Sequence, residues 1–179
     1  MAKTDSGAFA WVDGAEVIAV GEVPASLFDD LAAEFRDRSV LSFKAEDVTA
    51  VLITAGPDKL HLLRKADDSK GWRSTADPYV KIGAEKVAGF LNDLRDLKAE
   101  RFVSHSAGEP AKYGLDSPSL GVELTLARGG PLRVAVSAKS HKADDSRYAE
   151  ATNVTGVFVL APETINKLRK SLDDFKEAK

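Results

Sequence analysis

Apolar and polar residues alternate along several stretches of the chain, with the period of two expected of half-buried antiparallel strands. The clearest stretch carries Val122, Leu124 and Leu126 around Glu123 and Thr125. Leu132, Val134 and Val136 continue the pattern. Between them lies Ala127-Arg128-Gly129-Gly130-Pro131, where two glycines permit positive φ, so the spacing predicts a hairpin. Residues 48–54 and 60–64 form a similar pair around Ala55-Gly56-Pro57-Asp58-Lys59. Gly56 and Pro57 are turn formers there, and Lys59 closes the loop in solvent.

Three other stretches have helical period. Val87, Phe90, Leu91, Leu94 and Leu97 fall at spacings 0, 3, 4, 7 and 10. Ile165, Leu168, Leu172 and Phe175 fall at 0, 3, 7 and 10, and Leu27, Phe28, Leu31 and Phe35 at 0, 1, 4 and 8. Each describes one apolar stripe facing a core. Pro24 and Pro162 stand near the starts of the outer two, where proline fits the first helical turn.

The pieces recur in one order. Strands at 48–54 and 60–64, one around Trp72 and one at 79–82 precede a helix from Ala84. Strands at 120–127 and 132–137, one around Tyr148 and one at 157–160 precede a helix from Pro162. The chain opens with the end of such a series: Trp11, a strand at 15–20 and a helix from Pro24. The predicted fold class is therefore α+β, built of repeated β-β-β-β-α units of roughly 70 to 80 residues. Each unit is an antiparallel sheet with an amphipathic helix packed on one face. On this reading residues 1–40 are a partial unit of two strands plus a helix, 41–103 the first full unit and 104–179 the second. A chain that opens midway through a unit is expected to be the exposed portion of something longer.

Length and composition leave this picture standing. A chain of 179 residues suits one large domain or two small ones. Hydrophobic residues make up 44% and charged residues 30%, which argues against wholesale disorder. Charge adds an asymmetry. The net charge is −3, but residues 1–50 hold ten acidic and four basic side chains. That acidic quarter reads as a solvated face, with a docking surface for a basic partner as the sharper alternative. No basic stripe is present, so no nucleic-acid partner is expected. With no cysteine, disulfides, thiolate metal sites and a cysteine nucleophile are excluded. No apolar run approaches a membrane span, so this segment is expected not to insert directly. Residues 1–7 carry one lysine with no apolar core behind it, unlike a signal peptide.

Candidate chemistry is sparse. His61, His105 and His141 lack metal-ligand spacing and read as scattered surface residues, His61 on the solvent face of a strand and the other two in loops. Ser104-His105-Ser106 lacks the elbow context of a nucleophilic serine. Gly129-Gly130 joins two strands, whereas a phosphate cradle opens a helix. Asp67-Asp68 and Asp144-Asp145 occupy equivalent loops and read as solvated turns, short of a calcium site's ligand count. No catalytic residue, metal ligand or cofactor site is assigned. The binding candidates are the three aromatics at equivalent positions, Trp11, Trp72 and Tyr148. They are expected to anchor the core beneath a helix, and one exposed in a groove would become the leading binding residue.

One block has a distinctive form. Lys112-Tyr113-Gly114-Leu115-Asp116-Ser117-Pro118, followed by alternating Val122, Leu124 and Leu126, resembles the recurring "yGLD-x-P" block of the domain of unknown function 4340 family. The stretch from Leu94 to Val103 is similar to that family's helix exit and next strand. Gly71-Trp72 and Arg36-Asp37-Arg38-Ser39-Val40-Leu41 fit as well. The block also has a plain structural reading. Gly114 takes positive φ, Leu115 plugs an apolar gap, and Pro118 extends Ser117 into the next strand.

The resemblance implies a bacterial envelope setting, often with an N-terminal membrane anchor, and an accessory role beside ABC-type transport systems. It carries over no catalytic residue. The functional expectation is a non-enzymatic binding or scaffolding module of a cell-envelope assembly, with a protein partner. It would be extracytoplasmic or membrane-associated through an anchor outside this sequence, with a cytoplasmic location as the alternative. The competing reading is an enzyme or a small-molecule sensor whose site is assembled from scattered residues.

Overall fold

In a computed structural model, the described residues are 8–10, 18–20, 37–66, 68, 71–104, 110–141 and 145–177. The chain divides into two units, Met1–Asp37 and Arg38–Lys179. In the first, β1 (Ala8–Ala10) and β2 (Ile18–Val20) form a two-stranded antiparallel sheet. Trp11 and the helix expected from Pro24 lie outside the described residues.

Within Arg38–Lys179 the alternating segments become β3 (Val48–Ala55), β4 (Asp58–Arg64), β5 (Trp72–Ser74), β6 (Arg101–Ser104), β7 (Leu120–Leu126), β8 (Leu132–Ser140), β9 (Arg147–Ala151) and β10 (Val154–Leu160). All eight belong to one sheet of order β5-β4-β3-β7-β8-β9-β10-β6, with every neighbouring pair antiparallel. Both expected hairpins are present. β3 and β4 pair as far as Ala55 opposite Asp58, which leaves only Gly56 and Pro57 in the turn. Gly56 has φ of 60°, the glycine-first arrangement of a tight hairpin turn.

This sheet overturns the α+β reading as repeated sheet-and-helix units. The segments assigned to separate units, 48–54 and 120–127, run side by side, Val51 opposite Leu124 and Ile53 opposite Val122. The physical reason is edge satisfaction. After its own hairpin forms, each of these strands keeps one unpaired row of N–H and C=O groups. Pairing the two rows satisfies both and makes their apolar faces continuous.

Two local departures follow from side-chain chemistry. No strand forms over 79–82. The Tyr79 N–H donates to Asp77 Oδ1 at 3.0 Å, and this turn leaves the Tyr79 ring 94% exposed. Of that stretch, Ile82 alone makes an isolated bridge, to Lys176. The second departure is the stripe at Ile165, Leu168, Leu172 and Phe175, which belongs to two helices instead of one. These are α2 (Pro162–Leu168) and α3 (Leu172–Phe175), the latter begun by Ser171 as its cap.

The core lies on one face of the sheet. Val51, Ile53, Leu62, Val122, Leu124, Val134 and Phe158 project there by register. Helix α1 (Ala84–Arg95) covers them with Val87, Phe90, Leu91 and Leu94, all buried. Ile165, Leu168 and Phe175 complete the layer, with the Phe90 and Phe175 rings edge to face at 5.5 Å. β5 and β6 are opposite edges of the sheet, so the α1 segment carries the chain from one edge to the other.

Two substitutions in α1 are expected to act in opposite directions. Leu94→Ala should destabilise by about 2–5 kcal/mol, because a fully buried side chain leaves a cavity. Gly89→Ala should stabilise by about 0.5–1 kcal/mol, since a Cβ there meets nothing within 4 Å. Urea denaturation followed by circular dichroism measures both.

Candidate functional site

The two binding candidates among the described residues, Trp72 and Tyr148, do not converge. Trp72 pairs with Arg64, two residues along from the Leu62–Ser74 pair, so it shares the helix-covered face. It is 4% exposed, with the Arg64 guanidinium 4.8 Å from the ring centre. Arg64 Nε and Nη2 donate to the Val48 and Ala45 carbonyls at 2.7 and 2.8 Å, which fixes the cation over the ring. Tyr148 pairs with Val159, one residue off the Ala149–Phe158 pair, so it faces the other way. Five strand spacings, about 24 Å, separate the strands that carry them.

Tyr148 is instead the centre of a half-buried cluster on the face away from the helices. Its ring lies 5.1 Å from that of Tyr113 and 5.2 Å from that of His141. Arg101 can only donate, so His141 Nε2 accepts from it. His141 Nδ1 then donates to the Tyr148 hydroxyl at 2.9 Å. His141 is therefore no scattered surface residue. No sequence spacing signals this convergence, because Arg101, Tyr113, His141 and Tyr148 come from separate segments. His61 sits on the same helix-free face, opposite Leu52 and half-buried.

A cleft of about 760 Å³ opens where the β3–β4 turn meets the break between α2 and α3. Its floor is apolar, formed by Ile53, Ala55, Leu60 and Leu172. Its rim carries Asp58, Lys59, Arg169, Lys170, Ser171 and Asp174. None of these lining residues is among the aromatics singled out from sequence.

The break that opens the cleft is a capping event. The Ser171 N–H and Oγ–H both donate to Asp174 Oδ2, at 2.7 and 2.8 Å. These two bonds, the backbone one first, hold the Asp174 carboxyl below its ordinary 3.8; Lys170 and Lys86 add to the effect and partial burial opposes it. The Arg169 and Lys59 side chains, by contrast, have no hydrogen-bond or ion-pair partner among the described residues.

The arrangement offers charge and shape more readily than proton transfer. A carboxylate held ionised is a poor general acid at neutral pH. Among the described residues no group of three or more His, Asp or Glu is placed to hold a metal ion. Nor is any helix there long and apolar enough to cross a membrane.

Residues 72–179 match the family model described as "Domain of unknown function (DUF4340)". The chain belongs to this family. Neither a curated protein nor a solved structure matches it. The matched region contains the α2–α3 side of the cleft, the Tyr148 cluster and the whole Tyr113-Gly114-Leu115-Asp116 block. That block is a turn built against β8. Gly114 has φ of 68° and packs on Ser137, while Leu115 is 4% exposed. The Leu115 N–H donates to the Pro110 carbonyl at 2.9 Å, and the Ser119 N–H to that of Val136 at 2.9 Å. The region that matches DUF4340 thus includes a structural turn that delivers β7 to the sheet centre.

Gly114→Ala is expected to destabilise by about 1–3 kcal/mol, because a Cβ would meet Ser137 Oγ at 2.7 Å on a backbone of positive φ. Ser137→Ala in the same background should recover part of that loss in urea denaturation. A second expectation concerns pH. Asp174 has a folded value below its unfolded one, so its contribution is present above about pH 4 and is lost as pH falls through the folded value. Asp174→Asn should cost about 0.5–2 kcal/mol at pH 7, the range for a lost cap. The difference from wild type should shrink when thermal midpoints are compared at pH 3.

Proposed function

We propose that this DUF4340 chain is a non-enzymatic binding or scaffolding module of a bacterial cell-envelope assembly, accessory to an ABC-type transport system. The observation that carries the binding role is the open cleft at the α2–α3 break. It combines an apolar floor with a charged rim whose Asp174 carboxylate is tied to Ser171. Such a lining recognises a partner through shape and charge, and its Asp174 carboxylate, held ionised, is a poor general acid at neutral pH. The envelope setting and the transport partner are supported by the family resemblance of residues 112–118. On this reading the chain works outside the cytoplasm or against the membrane.

A small-molecule sensor is the second reading, favoured by the size of the cleft. At about 760 Å³ it falls within the roughly 300–1,000 Å³ of small-ligand sites.

Affinity capture from native membranes, with bound proteins identified by mass spectrometry, separates these readings. The scaffolding role predicts recovery of a transporter subunit or another envelope component in near-stoichiometric amounts. Recovery of abundant cytoplasmic proteins alone would overturn it.

A further inference from the structure

We infer that the cleft at the α2–α3 break is a site for small amphiphilic monoanions, with the anionic head on Arg169 and the apolar body on the floor. The inference rests on the reading of this cleft as a binding site and names the chemistry it would take. Four features carry it. Ala55 and Leu172, both half-buried, form an apolar surface under the opening, backed by the buried Ile53 and Leu60. The Arg169 guanidinium, at the opening, has no hydrogen-bond or ion-pair partner among the described residues. Its planar fork matches a carboxylate or a phosphate ester, and an apolar neighbourhood strengthens that bond. Lys59 lies on the hairpin side of the same cleft, its side chain also without a partner among the described residues, so positive charge flanks the opening from two elements.

The acidic residues limit the ligand's charge. Asp174, tied to Ser171 and with Lys170 and Lys86 acting on it, keeps its negative charge. The Asp58 side chain, exposed on the rim, makes no hydrogen bond or ion pair among the described residues. It stands against a second negative charge on the ligand. Discrimination therefore comes from Arg169 as the attractive group and Asp58 as the repulsive one.

Isothermal titration of the full chain with octanoate, methyl octyl phosphate (a monoanionic phosphodiester), suberate, octanol and octylammonium tests this. Octanoate is expected to bind. Octanol and octylammonium should bind at least about ten-fold more weakly, the factor set by one charge-assisted bond. Comparison of octanoate with methyl octyl phosphate, at equal charge, tells whether a carboxylate or a phosphate head is preferred. Arg169→Glu should weaken octanoate by about ten-fold or more, with an unchanged thermal midpoint because the residue is exposed. Asp58→Asn should tighten suberate more than octanoate. The inference is overturned if neither anion binds, if octylammonium or octanol binds as well as octanoate, or if Arg169→Glu leaves octanoate unaffected. A chain that captures an envelope component yet ignores these anions would refute the ligand class and leave the scaffolding role intact.

Discussion

The pairing of β3 with β7 is the contact on which the rest of the structure depends. It joins a three-stranded set, β5-β4-β3, to a five-stranded one, β7-β8-β9-β10-β6. Without it, each set would present an open edge and half an apolar face. With it, Val51, Ile53, Val122 and Leu124 become the middle of one continuous apolar surface. That surface is wide enough for α1, α2 and α3 to share. The helices are short, at 12, 7 and 4 residues, because their stability comes from the sheet beneath them.

The cleft is a by-product of how that shared surface ends. A single helix over 162–175 would have lain across the tip of the β3–β4 hairpin. Ser171 and Asp174 instead close a new turn on themselves, and Arg169 and Lys170 are left between two helices. A local preference for capping thus creates a feature that no long-range packing demanded. The same logic separates the two faces of the sheet. One is dry and covered by helices. The other keeps Tyr113, His141 and Tyr148 together over the outer strands without building a second apolar core.

Much of the local structure was legible in the residue pattern. Alternation located β3, β4, β7 and β8, and Gly56 and Gly129 marked their turns with positive φ, at 60° and 98°. Helical spacing located α1 together with its buried face. The arrangement of these parts was not legible. Nothing in a period of two says which strand edge meets which, so the like pattern of 48–54 and 120–127 suggested separate units, whereas those segments are neighbours. The equivalence drawn between Trp72 and Tyr148 failed for the reason that makes strands sensitive to register. A shift of one position moves a side chain to the opposite face, and Tyr148 stands one position off the core-facing Ala149. The cleft did leave a signal in the sequence. Ser171-Leu172-Asp173-Asp174 has the form of a helix start, and it interrupts a stripe whose spacing alone reads as unbroken.

The central pairing also has a consequence for how the chain folds. Val51 and Leu124 meet across about 70 intervening residues, and β6 waits for β10 across some 50 more. A sheet closed by such distant partners has a high contact order and folds slowly for its size. During synthesis at roughly 5–20 residues per second, β3 and β4 emerge several seconds before β7 exists. For that interval the β3 edge is bare. A nascent chain in that state is open to edge-to-edge association, and the length of that exposure is set by the stretch of chain between β3 and β7, which holds β4, β5, α1 and β6.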